Sequence, residues 1–270
     1  MKKHPLLLLI SFFLLAILHQ QDALAYDTTL YHWSFKPEKE NKPVTTEPHF
    51  LTMLEQHGGI FIGDISKKEL YLTFDNGYEN GFTAMILDVL KQKKVPAAFF
   101  VTGHYLKTEG ELVQRMVQEG HIIGNHSWHH PSLPKISDER LKEELESIKT
   151  TFTEITGIDE MHYLRPPRGE FSERSLALSH QLGYTNVFWS MAYKDWEVDK
   201  QKGASFAYEQ IMKRIHPGAV MLLHSVSKDN AEALGRVIDD ARKHGYEFKS
   251  LDDLMLKRKM EALPMSGEER

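Results

Sequence analysis

Leu70-Tyr71-Leu72-Thr73-Phe74-Asp75-Asn76-Gly77 is a run of apolar and β-branched residues that ends in a carboxylate, an amide and a turn glycine. The spacing predicts a strand over Leu70–Phe74, and a regular alternation follows it. Helices are expected at Thr83–Gln92, Glu111–Glu119, Glu173–Leu182, Phe206–Ile215, Ala231–His244 and Leu251–Met260. Strands are expected between them at Ala97–Val101, His121–Gly124, Tyr163–Leu164, Thr185–Trp189, Ala219–Leu223 and Tyr246–Lys249. A longer helix follows Ser137, a capping residue with Asp138 and Glu139 in the favourable first turn, and stops at Gly157. Strands alternating with helices of this length form βαβ units around a parallel sheet. About seven units from Glu69 onward suit a barrel better than a small open sheet, and no repeat or linker interrupts them.

Upstream of Glu69 the pattern changes. Lys2 and Lys3 precede an apolar run, Leu6–Leu18, broken only by Ser11, and Ala23-Leu24-Ala25 offers a small-x-small cleavage site. These are the three parts of a secretory signal peptide, expected at residues 1–25. The competing reading is an uncleaved anchor, but a run of 13 residues is short for a span, which needs about 20. Residues 26–68 read as an arm and lead-in. Pro37, Pro43 and Pro48 keep the arm extended, and Trp33 and Phe35 pack on the core or line a cleft. A short helix at Phe50–Gln56 ends at Gly58-Gly59, and a short strand follows at Ile60–Ile62. The main domain is expected over residues 69–260, with a frayed tail over 261–270.

The composition narrows the function. The chain has 270 residues, a 41% hydrophobic fraction, 33 Lys and Arg against 38 Asp and Glu, and no cysteine. Such an apolar fraction is too high for a disordered chain. The mild acidity, without a basic block, leaves no footprint for nucleic acid. The absence of cysteine excludes disulfides, thiolate metal sites and a cysteine nucleophile.

The reactive residues follow the expected strands. Asp75 and Asn76 follow the first, His126 follows His121–Gly124, Arg165 follows Tyr163–Leu164, Asp195 lies in the loop after Thr185–Trp189, and His224 follows Ala219–Leu223. In a parallel α/β fold these points share one face, where barrel active sites are built. In His126-Ser127-Trp128-His129-His130 two histidines stand four apart, and on one helical turn both would face a shared metal ion. A solvent-exposed pair is the plainer reading. Asp75 suits a metal ligand, a general base or a turn cap, and Asn76-Gly77 is also ordinary turn chemistry. His224 suits a core histidine or an acid. Arg165-Pro166-Pro167-Arg168-Gly169 is a stiff cationic loop, and Arg165 is placed to hold a carboxylate ionised. Trp128, Trp189, Tyr193 and Trp196 are flat faces near these loops. Most aromatics belong to cores, but a cleft flanked by such rings suits sugars.

Five motifs in order carry a specific resemblance: Thr73-Phe74-Asp75-Asn76-Gly77, His126-Ser127-Trp128-His129-His130, Arg165-Pro166-Pro167-Arg168-Gly169, Asp195-Trp196 and Leu222-Leu223-His224. The chain resembles the NodB-homology polysaccharide deacetylases, carbohydrate esterase family 4, over roughly Glu69 to Leu254. Thr73–Gly81, the Arg-Pro-Pro-Arg-Gly loop and His224–Leu234 resemble more narrowly the muramic-acid deacetylases of Bacillus-type spore formers, which help make muramic δ-lactam in spore cortex. The resemblance implies a distorted (β/α) barrel with a surface groove. It implies hydrolysis of a sugar N-acetyl amide with release of acetate. It assigns Asp75 as general base, His126 and His130 as metal ligands, Arg165 as the arginine that orients the base, His224 as general acid and Asp195 as the residue that tunes it.

One departure stands out. Most of the family carries Asp-Asp in the first motif, the second Asp being the third protein ligand, and here that position is Asn76. A neutral amide is a poorer donor, so a divalent ion, zinc by its histidine ligands, is expected to bind more weakly. The same substitution is typical of the muramic-acid subgroup. Arg168 is an extra cation suited to a lactyl carboxylate. The expected partner is a peptidoglycan glycan strand outside the cytoplasmic membrane, with no nucleic acid or protein partner implied. The competing readings are a deacetylase of chitin-like or xylan chains and an inactive wall-glycan-binding protein.

Overall fold

The computed structural model describes residues 26–37 and 44–262. The expected signal peptide, and the tail from residue 263, lie outside the described residues. The chain enters through β1 (Tyr31–His32) and α1 (Pro48–Gln56), whose first turn accommodates Pro48 because no intrahelical N–H bond is made at that position. The alternation then runs β2 (Glu69–Asn76), α2 (Thr83–Lys93), β3 (Ala97–Val101), α3 (Gly103–Thr108), α4 (Gly110–Gln118), β4 (Ile122–Asn125) and α5 (Asp138–Thr156). It continues through β5 (Tyr163–Leu164), β6 (Glu170–Phe171), α6 (Glu173–Gln181), β7 (Thr185–Asn186), β8 (Met191–Ala192), α7 (Ala204–Met212), β9 (Ala219–His224), α8 (Lys228–Lys243), β10 (Glu247–Phe248) and α9 (Leu251–Ala262). Among the described residues no helix is long and apolar enough to cross a membrane.

The main sheet is parallel throughout, in the order β7-β5-β4-β3-β2-β9-β8, with β10 beside the start of β2. All of β2 is buried, as expected for a strand covered on both faces. The two edge strands are the two ends of one stretch of chain. Thr185 and Asn186 pair with β5, and Met191 and Ala192 pair with β9. The ring therefore closes on itself. The expected strand Thr185–Trp189 is split because its chain changes partner midway. The expected strand Ile60–Ile62 is reduced to two single bridges, Ile60 to Val187 and Ile62 to Ala219, which wedge the seam. The fold is a curled, distorted (β/α) barrel, as the resemblance implies.

Side-chain parity on β2 sorts the core. Leu70, Leu72 and Phe74 pack outward on Ile86, Leu87 and Leu90 of α2. Tyr71 points the other way, into a cluster with Ala98, Phe100, Tyr163, Val187 and Val220 inside the ring. A third cluster belongs to the arm. Trp33 stacks on Phe188 with ring centroids 4.5 Å apart and packs with Phe50, Phe61 and Phe171. Its truncation to alanine is worth about 3–5 kcal/mol of stability. The arm also pairs β1 with β6, and Trp33 N donates to Gly169 O at 2.7 Å, so it braces the arginine loop from outside.

Candidate active site

Parity also builds the site. Asp75 shares the inward parity of Tyr71 and Thr73, and it is the register partner of His224 on the adjacent parallel strand. A carboxylate and an imidazole thus stand side by side at the carboxyl end of the barrel. Both line a cleft of about 560 Å³, with Tyr78, His126, His130, Arg168, Trp189 and Trp196 around them.

Each member of this pair has its own buried partner. Arg165, 0% exposed, donates from Nη1 to Asp75 Oδ1 at 2.8 Å. It is aimed by a bond from Nε to Val187 O at 3.1 Å, and its guanidinium lies 4.2 Å from the Phe100 ring centroid. Burial pushes the Asp75 carboxyl up, but Arg165, His126 and His224 together outweigh it and hold the group below the usual carboxylate range. On the other side, His224 donates from Nδ1 to Asp195 Oδ1 at 2.7 Å, and its backbone N–H reaches Oδ2 at 2.8 Å. Burial lowers the His224 pKa, yet the Asp195 carboxylate more than compensates and leaves it raised. Two titratable neighbours have been driven apart, one towards its anion and one towards its cation.

Asn230 was missed by the motif reading, although it lies in the quoted His224–Leu234 stretch. Its Nδ2 donates to Asp195 Oδ2 at 2.5 Å and to His224 O at 3.3 Å. Tyr193 is not a wall of this cleft. Its hydroxyl donates to Asn230 Oδ1, behind Asp195. Trp196 is 49% exposed, with its ring centroid 5.4 Å from that of His224.

The two histidines are not on a helical turn. His126–His130 is a loop in which Ser127 (φ 62°) and His130 (φ 56°) take the left-handed conformation that no helix of L-residues sustains. Two buried groups hold it. Asn125 Oδ1 accepts from Ser127 N at 2.9 Å. Glu144 of α5 accepts from His129 N at 2.7 Å, from His129 Nδ1 at 2.8 Å and from Arg140 Nη2 at 2.6 Å. Glu144 also escaped the sequence reading, because a glutamate within a charged helix carries no signal of its own. The loop still brings the His126 and His130 rings together, with centroids 4.8 Å apart.

The donor set can be tested for a metal ion. His126 Nδ1 donates to Arg165 O at 2.8 Å, so Nε2 carries the lone pair. Burial, and for His130 also the nearby His126, lowers both pKa values, that of His130 to about 4. Two neutral imidazoles are what a divalent cation requires. Asn76 has the parity of Leu72 and Phe74, does not line the cleft, and keeps both amide atoms buried without a hydrogen-bond partner. Among the described residues no group of three His, Cys, Asp or Glu side chains has the arrangement that would hold a metal ion. The residues fit a two-histidine seat, with the other positions left to water or substrate.

Arg168 stands in the cleft with φ 61°, another left-handed L-residue, and no hydrogen bond or ion pair ties its guanidinium to any described residue. Gly169 behind it has φ 65°, and a Cβ there would meet Trp189 at 2.8 Å. Strain of about 1–2 kcal/mol is thus retained where a cation faces a cleft.

The chain belongs to the polysaccharide deacetylases: a family model of that description matches residues 63–187. An uncharacterised 30.6 kDa protein of Geobacillus stearothermophilus is 53% identical over 86% of this chain and 87% of its own. The peptidoglycan-N-acetylmuramic acid deacetylase PdaA of Bacillus subtilis is 48% identical over 85% of this chain and 87% of PdaA. The solved structure of that PdaA, a family 4 carbohydrate esterase, superposes with a TM-score of 0.84 at 46% identity, covering 86% of this chain and 99% of the solved chain. The chain is accordingly a polysaccharide N-deacetylase. The family match stops short of Asp195 and His224, which enter the site through the ring closure and the register of β9.

Proposed function

We propose that this enzyme hydrolyses the N-acetyl group of muramic acid in peptidoglycan strands. The observation that carries the chemistry is the Asp75–His224 register pair with its divergent partners, Arg165 and Asp195. Asp75 takes a proton from water as the water oxygen attacks the acetamide carbonyl carbon. His224 then protonates the departing nitrogen. The C–N bond breaks, and acetate and a free sugar amine leave. Arg165 keeps the base ionised and oriented, and Asp195 keeps the acid protonated and fixes its tautomer. Leu222, Val226 and Trp189 give the cleft an apolar wall suited to the acetyl methyl. His126 and His130 would hold a divalent cation, zinc by donor type, which when bound polarises the carbonyl.

The substrate reading rests on Arg168. Muramic acid carries a lactyl carboxylate that glucosamine lacks, and an unpaired guanidinium in the cleft supplies its partner. Trp196 offers a face to a sugar ring. The amine released lies on the same residue as the lactyl carboxyl. An amide bond between them, with loss of water, gives the δ-lactam of spore cortex, the fate we propose for the product. The leader Lys2–Ala25 supports export and action at the wall, with Tyr26 beginning the mature chain.

The test is acetate release from peptide-free muramic strands beside chitooligosaccharides. The expected result is preference for the muramic strands, lost by about tenfold or more in kcat/KM in Arg168→Ala. A chelator is expected to lower the rate, and zinc to restore it. Equal release from both substrates, or an Arg168→Ala enzyme with unchanged preference, overturns the substrate assignment.

A further inference from the structure

The loop His126–His130 serves two clefts. His126 and His130 line the catalytic one, whereas Trp128 and His129 line a second of about 820 Å³, together with His104 and Lys107. The two share Gly77, Tyr78 and His130, so they read as one groove running from Trp196 past Tyr78 to Trp128. Tyr78, at the junction, is 44% exposed.

The wall of the second cleft is built. Trp128 is half-buried against α3, where a Cβ at position 103 would lie 2.3 Å from the indole, so only glycine lets the ring approach. One helical turn further, Lys107 places Nζ 4.8 Å from the same ring centroid. The indole holds the ammonium in place, and no carboxylate of the described residues pairs with it. His129, beside them, is pinned by the buried Glu144. An aromatic plate next to an unpaired cation suits a sugar ring that bears a carboxylate.

We propose that this second cleft is a distal glycan subsite for a carboxylate-bearing sugar of the same strand, with Lys107 contacting the carboxylate and Trp128 the ring. The inference rests on the muramic reading, because in a peptidoglycan strand the recurring carboxylates are those of its muramic residues. Lys107 touches no reacting group, so its effect falls on binding.

The experiment compares wild type, Lys107→Gln and Lys107→Arg on strands with one and with several muramic residues, and on the long strands after amidation of their carboxyls. Lys107→Gln is expected to raise KM about threefold to fivefold on the long strands alone, with kcat unchanged. Lys107→Arg is expected to stay near wild type, and amidation to erase the difference. A KM shift that is absent, or equal on both lengths, overturns the subsite. Calorimetric binding of the same strands gives a readout independent of turnover. Wild type binding the long strands no tighter than Lys107→Gln refutes the subsite. Normal discrimination in binding without acetate release refutes the muramic deacetylase reading instead.

Discussion

Replacing Arg165 by methionine removes the positive charge bonded to Asp75 while keeping an apolar stem beside Phe100. Asp75 is 8% exposed and Arg165 0% exposed, so the pair is screened little by solvent. Burial is the largest influence on the Asp75 carboxyl and raises it; Arg165 is the largest influence opposing burial. Without the guanidinium only His126 and His224 oppose burial, and the carboxyl pKa rises. An opposite charge at this range is worth about 1–3 pH units, or about 1.4–4 kcal/mol. The acid limb of kcat/KM for acetate release is therefore expected to move up by about 1–3 pH units. Stability follows with a definite sign. In the native enzyme the depressed Asp75 pKa contributes stability above the unfolded carboxylate pKa, and that contribution is lost as pH falls through the folded value. In the variant the orphaned carboxylate costs about 3–5 kcal/mol near neutrality, and protonation relieves the cost as pH falls. Thermal unfolding at neutral and mildly acidic pH, beside the pH–rate profile, measures both effects. An unmoved acid limb, or a stability loss that does not shrink on acidification, refutes the reasoning.

Other expectations follow from neighbouring contacts. Asp195→Asn removes the largest influence opposing burial at His224, so its pKa falls, the alkaline limb of the rate profile moves to lower pH, and kcat drops by about 10²–10⁴; an alkaline limb that stays put contradicts this. Glu144→Ala leaves the His129 N–H without its carboxylate and frees the loop of left-handed residues, for a loss of about 1.5–3 kcal/mol in denaturant unfolding. A change below about 0.5 kcal/mol, within the range of ordinary surface substitutions, would mean that the loop holds itself.

The regular part of this fold was legible because strands such as Ala97–Val101 and Ala219–Leu223 are continuous apolar runs between amphipathic helices. The seam was not. β7 and β8 are two residues each, too short for a periodicity, and their role depends on Thr185–Ala192 changing partner from β5 to β9. The site was legible where a residue stands at a strand end, as Asp75 and His224 do. Placing Asp75 and Asn76 at the end of one strand separated them: adjacent residues on a strand face opposite sides, so the carboxylate enters the ring and the amide turns towards the helices. The spacing of His126 and His130 suggested a helical turn, yet side-chain acceptors on Asn125 and Glu144 support a different backbone. Glu144 and Asn230 act through hydrogen bonds that reach 15 and 35 residues along the chain, to His129 and Asp195, which a local pattern does not encode.

The proposed mechanism makes Asp75 the base of a working acid–base pair. Wild type and Asp75→Asn, measured side by side for acetate release and for calorimetric binding on the same muramic strands, test it most directly. A loss of about 10²–10⁴ in kcat is expected, with strand binding retained. An Asp75→Asn enzyme that still releases acetate at a comparable rate contradicts it, as does a wild type that binds the strands and releases no acetate under any divalent ion.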